Sequence, residues 1–76
     1  MSGAKLAKLV QMANQIGDYF SAMPEAEAAN GAAEHLRLYW TPGMIGEIVA
    51  HAAAGHSDLN PTAAEAVAKL GDRRGA

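Results

Sequence analysis

Three prolines, Pro24, Pro42 and Pro61, divide this 76-residue chain into four segments, and each reads as the start of a helix. Proline is tolerated in the first turn, where its missing N–H has no helical partner to lose, and it breaks a helix further in. Thr41-Pro42 and Asn60-Pro61 each put a capping side chain directly before the proline. Pro24 is followed by Glu25 and Glu27, which suit the positive end of a new helix.

Between these marks the apolar residues keep helical spacing. Leu6, Leu9, Val10, Ala13, Ile16, Gly17 and Phe20 form one stripe, with Met12 and Tyr19 widening its edge. The second segment places Ala29, Ala32, Ala33, Leu36, Tyr39 and Trp40 on one face, although Asn30-Gly31 weakens its middle and leaves two shorter pieces as an alternative. The third packs through Ile45, Ile48, Val49 and Ala52 and stops at Gly55, with His51 complementing the negative pole. The fourth turns Ala64, Val67, Ala68 and Leu70 inward. The expectation is an all-α fold, a small bundle of three main helices plus a short C-terminal helix. It forms a single domain with helices over about 5–23, 25–40, 42–54 and 61–70 and a flexible tail at 71–76.

Such a bundle has a thin core, because most of its apolar positions are alanine, which buries little area. The chain has no cysteine, so disulfides and thiolate metal sites are excluded, leaving a partner as the expected stabiliser. The N-terminal residues lack an apolar run with a cleavage site, and no stretch reaches bilayer length, which predicts a cytosolic protein. A net charge of −2 with both signs scattered argues against a nucleic-acid or anionic-membrane partner.

Few residues invite chemistry. His51 and His56 lie about 140° apart round a helix, with Gly55 between them, a poor arrangement for a shared metal. Ser57 stands between His56 and Asp58, but sequence neighbours do not supply the convergent geometry of a triad. Ser57-Asp58-Leu59 also inverts the Asp-Ser-Leu order at the prosthetic-group site of acyl carrier proteins. A helix starting at Thr41-Pro42 would offer Met44, Ile45, Glu47 and Ile48 to DNA rather than base-reading side chains. The segment from Leu36 to Met44 holds the only tryptophan beside a fixed chain reversal, and it anchors either a core or a binding surface. Leu38 points about 200° from Leu36, away from the core stripe. With Met12, Tyr19 and Met23 it suggests an apolar docking surface. Asn14 and Gln15 lie on the polar side of the first helix, where plain solvation is the simplest reading.

Leu9-Val10-Gln11-Met12-Ala13-Asn14-Gln15-Ile16, Tyr19-Phe20, and His35-Leu36 through Tyr39-Trp40-Thr41-Pro42-Gly43-Met44 together resemble the delta subunit of NAD-dependent formate dehydrogenase. The resemblance runs from Lys5 to about Leu70 and departs from the family pattern beside Met44, where this chain has Gly43 and Ile45 in place of the basic residues expected of the family. It implies a non-catalytic accessory subunit with no cofactor of its own. The large catalytic subunit would carry a bis-pterin molybdenum or tungsten centre and iron–sulfur clusters, and flavin and iron–sulfur subunits would carry FMN and further clusters. It also implies partner contacts at Asn14 and Gln15. With them, Met12, Tyr19, Leu38, Trp40, Pro42 and Met44 make up the candidate partner-binding set. Docking as a permanent subunit and transient binding as a maturation factor both remain open.

Overall fold

The computed structural model describes residues 2–75, with side chains over residues 5–72. It holds four helices: α1 (Ser2–Phe20), α2 (Glu25–Tyr39), α3 (Pro42–Ala53) and α4 (Pro61–Gly75). Among the described residues there is no strand.

The prolines act as their positions predict. Thr41 caps α3 through its hydroxyl, which accepts from the Met44 N–H at 3.2 Å, with Pro42 in the first turn. Asn60 does the same for α4, its Oδ1 accepting from the Ala63 N–H at 2.8 Å. Pro24 has no side-chain cap to offer, and its carbonyl instead accepts from the N–H groups of Glu27 and Ala28. Gly55 ends the α3 corner with φ of +91°, a left-handed backbone that glycine adopts without steric cost.

Two boundaries differ from expectation. α1 stops at Phe20 rather than Met23, because the residue before a proline is driven out of the helical region and the chain needs a turn over residues 21–23 to reverse. α4 does not end at Leu70 but continues to Gly75, so at 15 residues it matches α2 and exceeds the 12 of α3. Gly71 alone is too weak a breaker to stop a helix whose Leu70 is anchored in the core.

One cluster of buried side chains joins all four helices: Leu9 and Ala13 from α1, Ala32, Ala33 and Leu36 from α2, Ile45 and Ile48 from α3, Ala63, Ala66, Val67 and Leu70 from α4, with Trp40 beside them. α4 touches every other helix, and its seam with α2 is the most extensive. That seam is built from alanines on both sides, and small side chains let the backbones come close. The inward stripe of α4 is Ala63, Ala66, Val67 and Leu70, while Ala64 and Ala68, expected inside, are exposed. Tyr39 is a similar correction, since 73% of it lies in solvent. α2 ends at Tyr39 and Trp40 is extended, its N–H donating to the Leu36 carbonyl, so Trp40 drops into the core above Leu36 while Tyr39 swings outward.

Asn30-Gly31 does not break α2. A Cβ at Gly31 would sit 2.7 and 2.8 Å from Cδ1 and Cε1 of Phe20, so the missing side chain is the seat on which the Phe20 ring rests. Packing of α1 on α2 at this point outweighs the weak helical propensity of glycine.

Candidate functional site

The close approach of Phe20 to Gly31 opens a groove between α1 and α2. Gln15, Ile16, Tyr19, Phe20, Met23 and His35 line this hollow of about 500 Å³, so its walls are apolar apart from the Gln15 amide, the His35 imidazole and the Tyr19 hydroxyl. A run of rings follows it. Tyr19 meets Phe20 edge-on at 5.0 Å, Phe20 lies 6.0 Å from His35, and His35 packs on Tyr39 at 4.7 Å. Among the described residues, Tyr19, Met23, Leu38 and Tyr39 are the large apolar side chains left exposed, and all four belong to α1, α2 or the turn joining them. Aromatic residues grouped beside a concave apolar surface are what partner proteins anchor on.

The predicted contact residues fall into different places. Gln15 and Tyr19 lie in or on the groove, and Leu38 is exposed on α2 at 59%. Pro42 is exposed at the start of α3, while Met12 and Met44 are half-buried against the core. Trp40 is 6% exposed and belongs to the core, so its ring is not available on the surface.

Asn14 is the clearest departure from a solvated polar residue. Its Nδ2 donates to the Asp58 carbonyl at 2.9 Å and its Oδ1 accepts from the Asn60 N–H at 2.8 Å. Asn60 answers by donating from Nδ2 to the Asn14 carbonyl at 2.9 Å and to Asp18 at 3.1 Å. Asn14 thus fastens the α3–α4 loop to α1. The sequence reading leaves Phe20, His35 and Tyr39 out of the contact set, although the i, i+4 spacing of His35 and Tyr39 places both on the same side of α2.

A family model, that of the NADH-dependent formate dehydrogenase delta subunit FdsD, matches residues 8–67. The chain belongs to the FdsD family. No curated protein and no solved structure matches it. The matched span of this FdsD chain contains every residue lining the groove and also the Asn14–Asn60 corner.

At that corner of the FdsD chain three titratable side chains meet, His51, His56 and Asp58. His51, in the last turn of α3, sets Nε2 at 2.9 and 3.0 Å from the two carboxylate oxygens of Asp58. The His56 ring stacks on His51 at 4.3 Å and 2°. The hydrogen bond from His51 holds the Asp58 carboxyl below the usual carboxylate range; slight burial opposes this, and the charges of His51 and His56 add to it. The histidine that engages Asp58 is His51, seven residues before it, and not His56, the sequence neighbour of Ser57. Among the described residues no group of three or more His, Asp or Glu is placed to hold a metal ion, and no helix is long and apolar enough to cross a membrane.

Proposed function

We propose that this chain is a non-catalytic accessory subunit of a cytoplasmic, molybdenum- or tungsten-containing NAD-dependent formate dehydrogenase complex. It docks on the large catalytic subunit and supports the assembly or stability of the complex. The observation that carries this reading is the pairing of FdsD family membership with the aromatic groove between α1 and α2. Tyr19, Met23, Leu38 and Tyr39 are the residues proposed to meet the partner, with Gln15 supplying a hydrogen-bonding side chain inside the contact. Trp40 and Asn14 serve the contact indirectly, by fixing the end of α2 and the corner that braces α1.

In this reading the reacting groups sit in other subunits: a bis-pterin metal centre with iron–sulfur clusters in the large subunit, FMN and further clusters in its neighbours. The delta chain contributes surface. A partner that binds only the folded form also stabilises a bundle whose core is largely alanine.

The test is co-expression with the large, flavin and iron–sulfur subunits, followed by size exclusion of the active complex. A stoichiometric delta chain in the active peak supports a permanent subunit. Its presence only with immature, metal-free large subunit identifies a maturation factor instead. Absence from both refutes docking.

A further inference from the structure

The groove between α1 and α2 combines three apolar side chains, Ile16, Phe20 and Met23, with polar groups on both of its helices. Gln15 and the Tyr19 hydroxyl belong to α1, and His35 belongs to α2. His35 is half-buried, its ring 6.0 Å from that of Phe20 and 4.7 Å from that of Tyr39. Ring packing holds it in place. Yet among the described residues neither the His35 nitrogens nor the Gln15 amide has a hydrogen-bond partner in this chain.

In the free chain water satisfies these atoms. A partner that closes the groove removes that water, and a covered donor or acceptor left unpaired opposes binding. The occupant must therefore bring hydrogen-bonding groups as well as an apolar side chain, which excludes a purely aliphatic ligand and a plain apolar helix face. An imidazole carries one N–H donor when neutral and two when charged, so it needs an acceptor in either state. The Gln15 carboxamide offers a carbonyl oxygen that can accept. A peptide group supplies both complements, its carbonyl for the imidazole and its N–H for the amide oxygen. Inside a helix those main-chain groups are already bonded to one another, whereas an extended segment leaves them free.

We infer, resting on the docking reading above, that the groove receives an extended segment of the large subunit, with His35 as the residue that selects for it. The segment sets an apolar side chain against Ile16, Phe20 and Met23 and places a peptide group between Gln15 and His35. His35 donates to the carbonyl of that group, and Gln15 Oε1 accepts from its N–H. Tyr19 and Tyr39 flank the contact and supply apolar area around it.

The test measures binding of the complex lacking the delta chain to immobilised parent, His35→Phe and His35→Gln chains, each first shown by circular dichroism to be folded. Phenylalanine keeps the ring packing and loses the donor, whereas glutamine keeps a donor and an acceptor and loses the ring. Affinity is expected to fall on the order of tenfold in His35→Phe, the effect of one lost hydrogen bond in a covered site, and to fall less in His35→Gln. Equal affinity of His35→Phe and parent, or tighter binding by His35→Phe than by His35→Gln, overturns the role of His35. Hydrogen exchange of the large subunit with and without the parent chain reads the conformation of the segment. Protection should appear in amides that exchange freely before binding, and protection confined to amides already slow before binding identifies a helix face and contradicts the extended segment. A parent chain that does not bind at all refutes docking itself and this inference with it, an outcome distinct from a parent that binds no better than His35→Phe.

Discussion

Asn14 and Asn60, 46 positions apart in sequence, hold each other by two hydrogen bonds in which each side chain engages the other's backbone. The Asn60 side chain also caps α4, so one residue links α1, the loop and the last helix. Asn60→Ala removes the cap and leaves a half-buried Asn14 carbonyl without this donor. The expected loss is about 1–3 kcal/mol, the sum of a lost cap and one lost hydrogen bond, since the Asn14 carbonyl keeps its helical donor within α1. Urea unfolding followed by circular dichroism measures it.

Two glycines in helices should respond in opposite ways to alanine. Gly31→Ala drives a methyl group into the Phe20 ring and should destabilise by about 1–3 kcal/mol. It should also disturb the groove that Phe20 lines. Gly43→Ala meets nothing closer than the Thr41 hydroxyl at 3.9 Å, so a gain of about 0.4–1 kcal/mol is expected from the stiffer unfolded chain. Thermal melts of the two variants beside the parent chain give both signs in one experiment.

Trp40 and Leu38 separate folding from docking. Trp40→Ala empties a buried site and should cost about 3–5 kcal/mol, enough to unfold much of so small a bundle. Leu38→Ser removes an exposed side chain, so the free chain should change by less than about 0.5 kcal/mol while binding to the large subunit weakens. Circular dichroism paired with pull-down resolves the two effects.

Acid stability carries the mark of Asp58. Its carboxyl sits below the ordinary value of 3.8 in the folded chain, chiefly because His51 donates to it. A group whose folded value is depressed contributes fully above its unfolded value, and the contribution disappears as pH falls through the folded one. Asp58→Asn should therefore flatten that part of the stability curve between about pH 5 and pH 2, as read by urea midpoints at each pH.

The helix starts were legible because cap chemistry is local. Thr41 and Asn60 act on residues three positions away, and the prolines mark where each helix can begin. The inward stripe of α1 followed from its spacing for the same reason. Contacts that depend on distant residues were not legible. Asn14 read as a solvated amide because its partners lie 44 and 46 residues on. Gly31 read as a weak point because nothing in the sequence joins it to Phe20. Trp40 lies on the inward side that its spacing from Leu36 indicated, whereas Tyr39, the last residue of α2, is exposed. Of the candidate contacts, the exposed positions of Gln15 and Leu38 were visible in helical phase. The groove itself was not, since it exists only where two helices meet.

The most direct test of the account is a pull-down of the large formate dehydrogenase subunit by this chain and by its Tyr19→Ser, Tyr39→Ser double variant. Both tyrosines are more than 70% exposed, so the variant should keep its helicity and melting temperature. The account predicts that the parent chain retains the large subunit and that the folded variant loses it. Undiminished capture by the folded variant would contradict the assignment of the α1–α2 groove as the docking surface.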